Sequence, residues 1–320
     1  MKGFNVINYV APTNFYGIGG SITYGMSADA GLDYLSLLEL QRNKLDRQQY
    51  IKTNKGVPST GSWYACVRLQ ADIIDNAPDV LYIEFAVNDG DNSRDKGCAE
   101  AMIRRLWTAH PTMKLCAVFF LTVADKDVND ATNLGDAVKQ NWIALCNHYY
   151  IPYVDYAVYL KSVIDGGGTL ADYMADKNHP TNAGHTLAYS RIKDGQVSAL
   201  SGSLPARLIE DSEDFENTPQ ITNGVDNDSI TGTWSENGTE ISSTEADATI
   251  TFSGTFRCFG LDTNTSGGRY AWKLDDSDWI ETNVLGYSNQ IINTKETRLV
   301  RTVIIKVVSG TVTIKRFLAL

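Results

Sequence analysis

The sequence predicts an α/β chain in two parts: a parallel sheet with helices on both faces over residues 1–204, then a β-sandwich over residues 205–320. Three observations carry this expectation. From Phe15 to about Lys193, apolar strand-like runs alternate with stretches of helical spacing, the pattern of strands joined by crossover helices. After about Leu204 the helical periodicity stops, and Asp211 to Gly238 is rich in Asp, Asn, Ser, Thr and Gly. Short strands then recur at the spacing of a sandwich.

Each element has its own signal. The apolar stretch Phe15-Tyr16-Gly17-Ile18 runs into the Gly-rich turn Gly19-Gly20-Ser21-Ile22-Thr23. Leucines 32, 35, 38 and 45 mark a helix behind that turn. Asn54 to Tyr64 is a loop of small residues entering a helix from Ala65 to Asn76, so its amides are free to meet an anion. Pro78 to Ile83 leads a buried strand into Glu84-Phe85-Ala86-Val87, and the polar run Asn88-Asp89-Gly90-Asp91-Asn92 ends it. Cys98 to His110 is an amphipathic helix carrying Met102, Ile103, Leu106 and Trp107, followed by a strand from Leu115 to Val123. Asp136 to His148 is a further helix and Tyr153-Val154-Asp155 a further strand. In the second part, strands are expected at 248–252, 255–259, 270–274, 303–307 and 312–315, with Ser253-Gly254 and Ser309-Gly310 as tight hairpin turns.

Whole-chain quantities narrow the function. The net charge of −10, from 38 acidic and 28 basic residues, argues against a nucleic-acid or anionic-membrane partner. No stretch reaches the roughly 18 consecutive apolar residues of a membrane span. The start, Met1 to Asn8, has neither the apolar core nor the cleavage site of a signal peptide, which leaves cytosolic and secreted origins both open. Cys66, Cys98, Cys116, Cys146 and Cys258 are odd in number and lack metal-type spacing, so neither a disulfide framework nor a metal site is expected. With no phosphate loop, dinucleotide fingerprint or His/Cys cluster, no cofactor is expected. A homo-oligomer is an open expectation.

Three distant segments carry candidate chemistry. A serine hydroxyl becomes a nucleophile when a base takes its proton, and a histidine base needs a partner to fix its tautomer. Ser21 sits in the first Gly-rich turn, and Asp176-Lys177-Asn178-His179-Pro180 supplies an Asp and a His three residues apart. Asn88, at the mouth of a parallel strand, can aim its amide at a developing oxyanion. Taken singly, each segment reads better as an ordinary turn.

Together with the loop from Asn54 to Tyr64, and in this order, the segments resemble the SGNH hydrolases, or GDSL esterases, whose four blocks carry Ser, Gly, Asn and His. The resemblance covers about Phe15 to Ile192. It implies a three-layer SGNH-type fold, Ser21 as nucleophile, His179 as general base and Asp176 as the residue orienting His179. It further implies an oxyanion hole built from the Ser21 amide, the Asn88 side chain and a second-block amide. That last place falls on Ser59 counting from Asn54, or on Gly61 in a shifted register. Gly20 departs from the family, standing where its name implies Asp. The blocks look most like the carbohydrate-acetylesterase branches, so an acylated carbohydrate or small ester is the expected partner. A lipolytic esterase or lysophospholipase, and a phage-tail or surface-glycan deacetylase, are the alternatives.

Other residues have two readings. Tyr24, Trp63 and Tyr64 neighbour the blocks and either line an acyl or sugar pocket or pack in the core. Trp234, Tyr270, Trp272, Trp279 and Tyr287 either form a sugar-stacking platform or fill the sandwich. The run Asp275 to Asp278 reads as a solvated turn or a calcium site, and His185 as a structural residue.

Overall fold

The computed structural model describes residues 11–45, 49–119, 137–193, 197–209, 212, 215–216, 220–256, 259–263, 268–281, 289–292 and 300–319. The chain divides into two compact units, Met1–Ala65 with Ala71–Ser212, and Cys66–Gln70 with Glu213–Leu320.

The first unit is built on a six-stranded sheet. Its parallel strands are β1 (Thr13–Gly19), β2 (Tyr50–Gly56), β3 (Val80–Glu84), β4 (Lys114–Phe119) and β5 (Tyr153–Asp155), in the order β2-β1-β3-β4-β5. A two-residue strand, β6 (Ser198–Ala199), pairs antiparallel with β4. The described helices are α1 (Ser21–Tyr24), α2 (Tyr34–Leu45), α3 (Ser62–Leu69), α4 (Ser93–Ala109), α5 (Ala137–His148), α6 (Tyr156–Asp165), α7 (Leu170–Tyr173) and α8 (Asn182–Ile192).

Strand alternation sets the layers. Phe15, Val80, Tyr82, Cys116, Val118 and Val154 pack with Tyr34, Leu35 and Leu38 of α2, Leu160 of α6 and Ala188 of α8. The alternate residues Ile18, Leu81, Ile83, Leu115 and Ala117, on the opposite face, are buried as well. A sheet covered on both faces is the three-layer arrangement expected. The strand order reverses direction at β1, so a crevice opens beyond the carboxyl ends of β1 and β3. Ser21 and Asn88 follow those two ends.

The second region is a β-sandwich. One sheet orders β15 (Asn289–Ile292), β12 (Phe259–Thr263), β17 (Val312–Ala319), β10 (Glu240–Ser243) and β9 (Ser235–Asn237), with β7 (Gln220–Asn223) also paired to β17. The other orders β14 (Ile280–Glu281), β13 (Arg269–Leu274), β16 (Val300–Ser309), β11 (Thr249–Phe256) and β8 (Ser229–Thr231). Their inward residues share one apolar cluster, in which Phe252 of one sheet stacks on Phe317 of the other at 4.6 Å between ring centroids.

Several local expectations are corrected. Asn54 to Gly56 belong to strand β2 rather than to a loop. β11 runs unbroken through Ser253-Gly254, where its register against β16 shifts, so that pair marks a bulge and not a hairpin. Ser309-Gly310 does turn the chain, with Gly310 at φ +66°, but it joins strands of different sheets. The helix from Ala65 begins at Ser62 and continues as a π-helical turn from Gln70 to Ile74. Helix α4 begins five residues earlier than its apolar spacing shows, because Asn92 caps it by accepting from the Asp95 amide. Tyr287 and residues 120–123 of the expected fourth strand lie outside the described residues.

Candidate active site

The turn after β1 is forced by close contacts. A β-carbon at Gly19 would lie 2.7 Å from the Glu84 carbonyl oxygen, and one at Gly20 would lie 2.1 Å from Asn88 Oδ1. A larger residue at 20 would have to displace the Asn88 side chain. The Gly20 carbonyl accepts from the Tyr24 amide at 3.0 Å and starts helix α1, leaving Ser21 buried at its first position. Asn54 ties this helix to β2, its Nδ2 donating to the Thr23 carbonyl at 2.7 Å.

The histidine segment is a closed loop. Met174 bridges to Pro180, the Ala175 amide donates to the His179 carbonyl at 2.8 Å, and the Thr181 amide donates to the Tyr173 carbonyl at 2.9 Å. Inside it Asp176 Oδ1 accepts from the amides of Asn178 and His179 at 2.7 and 2.8 Å, while Oδ2 lies 2.7 Å from His179 Nδ1. Although burial alone would raise it, the bonds from the His179 ring and the two amides hold the Asp176 carboxyl below the usual carboxylate range.

Residues 158 apart in sequence are thereby joined: His179 Nε2 stands 2.8 Å from Ser21 Oγ. A two-point clasp helps to hold them. The Asp29 amide donates to Asn182 Oδ1 at 2.8 Å, and Asn182 Nδ2 donates back to Asp29 Oδ2 at 2.7 Å. The first bond ties the segment after Ser21 to the start of α8, three residues beyond His179. With Asp176 accepting from Nδ1, Nε2 is the nitrogen able to accept the serine proton.

The remaining loops meet beside Ser21. Asn88 is half-buried beside Gly20. Ser59 adopts φ +61°, a left-handed conformation that favours glycine. Gly61 caps α3 and leaves room for the Asp89 carboxylate, whose Oδ1 would be 2.4 Å from a β-carbon there. Asp89 accepts from the Ser62 amide at 2.6 Å and from Trp142 Nε1 at 2.9 Å. Enclosure, reinforced by nearby Asp95, pushes its carboxyl up to about 7. Asp95 in turn accepts from the Gly90 amide at 2.7 Å and fixes the loop after Asn88.

Of the other candidate residues, Tyr24 is 59% exposed, and Trp63 is half-buried with the Arg94 guanidinium 5.0 Å from its ring centroid. Tyr64 is 1% exposed, because the third residue of α3 turns into the core; it does not line a pocket. Tyr270 and Trp272 are likewise core residues of the sandwich, whereas Trp279 is 37% exposed between Lys273 and Lys306, at 5.3 and 4.6 Å. Asp275 accepts from the Thr302 amide and hydroxyl at the head of a turn closed by Ser277, so that run is used as a turn. His185 is buried and stacked on Tyr34, and burial holds its ring neutral, down to about 4. Sequence reasoning passed over Glu84, Thr23 and Tyr34, which form a buried polar chain beneath Ser21. A Glu inside an otherwise apolar strand was the available signal.

Comparison with known proteins now decides the family. The sequence model of the GDSL-like lipase/acylhydrolase family matches residues 18–187, more than half of the chain. The chain belongs to the GDSL-like lipase/acylhydrolase family. It is therefore an SGNH-type carboxylic ester hydrolase. No curated protein sequence matches the chain. Among solved structures, a two-domain esterase, CEX, active on acetylated mannans matches with TM-score 0.76 and 17% identity, over 97% of this chain and 91% of its own. Its crystals with mannopentaose match with TM-score 0.76 and 16% identity, over 97% and 90%. At that identity the likeness establishes a shared fold, with a sheet-and-helix part and an antiparallel part.

Proposed function

We propose that this hydrolase removes short acyl groups, acetyl first, from carbohydrate esters, with Ser21 as nucleophile, His179 as general base and Asp176 as its orienting partner. The observation that carries the reading is the unbroken chain from Ser21 Oγ to His179 Nε2 at 2.8 Å and from His179 Nδ1 to Asp176 Oδ2 at 2.7 Å. Ser21 Oγ gives its proton to Nε2 as it attacks the ester carbonyl. The ionised Asp176 stabilises the imidazolium that forms. The oxyanion is met by the amides of Ser21 and Ser59 and by the Asn88 carboxamide, groups already fixed by the packing of Gly20 and the left-handed turn at 59. His179 then protonates the sugar oxygen as its bond to the acyl carbon breaks, and a water activated by the same ring releases the acid.

Support for a short acyl group comes from the tight surroundings of Ser21, which is 7% exposed. Support for a sugar leaving group comes from the polar and aromatic side chains at the rim: Tyr24, Trp63 with Arg94, and the Asp29–Asn182 clasp. The shared fold with an esterase active on acetylated mannans points the same way. In the sandwich, exposed Trp279 is the residue we assign to glycan contact. The test is the rate of acid release from acetylated mannan, xylan, pectin and bacterial surface glycans, beside acetyl and octanoyl esters of one alcohol. Release from at least one glycan and a preference for acetyl support the reading. A preference for octanoyl overturns it in favour of a lipolytic esterase.

A further inference from the structure

Glu84 is the last residue of β3 and lies opposite Gly19 in the strand register. Its side chain turns under the Ser21 segment and is fully buried. Oε2 accepts from the Gly20 amide at 3.3 Å and meets Thr23 Oγ1 at 3.1 Å, and Thr23 Oγ1 lies 2.9 Å from the Tyr34 hydroxyl. Oε1 makes no hydrogen bond among the described residues. The contacts bracket Ser21: Gly20 precedes it and Thr23 is two residues on. No role in the acyl transfer above uses this carboxyl.

Resting on the serine-esterase reading, we propose that Glu84 is a positioning residue that works as a neutral acid, pinning the Gly20–Thr23 turn so that the Ser21 hydroxyl and amide face the substrate carbonyl. An isolated carboxylate is costly to bury, and the hydrogen bonds from Gly20 and Thr23 do not compensate for lost water while Oε1 makes none among the described residues. Burial accordingly pushes the carboxyl up to about 8, with Asp89 adding to the rise and the bonds from Thr23 and Gly20 opposing it. Neutral, the Glu84 O–H donates to Thr23 Oγ1, which donates on to Tyr34. Ionised, Glu84 only accepts, with the Thr23 hydroxyl donating to it, and sets a negative charge behind the turn that must stabilise an oxyanion. The ionisable groups facing it are Tyr34 from α2, Asp89 from the loop after β3 and, through Ser21, His179.

The test compares wild type with Glu84→Gln, Glu84→Leu, Asp89→Asn and Ser21→Ala over pH 6–10, reading kcat and KM for a small acetyl ester and, separately, unfolding stability. Wild-type kcat should fall as pH rises through about 8, and that limb should vanish in Glu84→Gln, whose neutral amide keeps the shape and the acceptor. Glu84→Leu orphans the Gly20 amide and leaves the Thr23 hydroxyl with Tyr34, so kcat should drop about tenfold or more with KM little changed. Asp89→Asn should keep the limb but move it to lower pH, since the Asp89 charge is one of the causes that raise Glu84.

Stability gives a readout independent of turnover. A carboxyl with a raised folded pKa binds its proton more tightly in the folded chain. Its contribution is therefore complete below the ordinary carboxyl range and is lost as pH climbs toward 8. Wild type should show that decline up to about 8, whereas Glu84→Gln should keep only the shallower part, ending near 7, that Asp89 contributes. The proposal is overturned if Glu84→Gln retains both the alkaline limb and the full wild-type stability decline up to about 8, or if folded Glu84→Leu keeps wild-type kcat. Should Glu84→Leu fail to fold, the Glu84→Gln profiles decide. Residual activity in Ser21→Ala would instead sink the serine reading, so the two failures are told apart.

Discussion

The sheet-and-helix region and the sandwich bury different things. Around the parallel sheet the chain encloses Glu84, Asp95, Glu100, Arg104, Arg105 and Lys139. Between Gln220 and Ala319, the buried polar residues among those described are Ser243 and Thr263, neither charged. Burying charge without full pairing is expensive, and well-packed apolar side chains usually stabilise more. The sandwich follows the cheaper rule, with aromatic stacks such as Phe252 on Phe317 and Phe259 edge-on to Trp272 at 5.7 Å. The catalytic region breaks that rule where loops must be held in one geometry. Asp95 anchors the loop after Asn88, Asp89 anchors the start of α3, and Glu84 holds the serine turn. Polar burial in the first region serves orientation, and apolar burial in the second serves cohesion.

Substitutions that separate activity from stability sharpen this contrast. The largest effect is expected at Asp176→Asn, which frees the His179 tautomer; kcat should fall about 10⁴-fold while the fold persists. Next comes Phe252→Ala in the sandwich, which should lower unfolding stability by about 3–5 kcal/mol in denaturant titration. Turnover of a small ester per folded molecule should be unchanged there, and a matching loss of turnover would break the comparison. Asn88→Ala should lower kcat about 10²- to 10³-fold, the typical effect of one oxyanion donor, with stability nearly constant. The smallest effect is expected at exposed Trp279→Ala: stability within about 0.5 kcal/mol, small-ester rates unaltered, and weaker retention in a polysaccharide-containing gel. Unchanged retention would remove Trp279 from glycan contact.

The regular parts of the fold were legible because their signals are local. Alternating apolar runs announced β1, β3 and β4, and the spacing of leucines announced α2. The end of strand β2 was hidden because an edge strand needs little apolar character; Asn54, Lys55 and Gly56 read as loop until Asn54 is seen tying α1 to its neighbour. The pair Ser253-Gly254 misled because glycine serves bulges as well as hairpins, and only the backbone angle separates them. Ser21, Asn88, Asp176 and His179 could be picked out because their segments, in this order with the loop from Asn54 to Tyr64, resemble the four SGNH blocks. The clasp of Asp29 with Asn182 could not, because it joins two ordinary polar residues 153 positions apart. Glu84 was in plain view within an apolar strand, yet its partners Gly20, Thr23 and Tyr34 are assembled only by the strand register and the packing of α2.

The account turns on a covalent bond forming at one hydroxyl. Intact-mass and peptide mapping of the enzyme, quenched during turnover of an activated acetyl ester, tests this most directly. It predicts one acetyl group on the peptide containing Ser21, with no adduct and no turnover in Ser21→Ala. Full-rate acetate release by Ser21→Ala, or an acetyl group carried on a different residue, would contradict it.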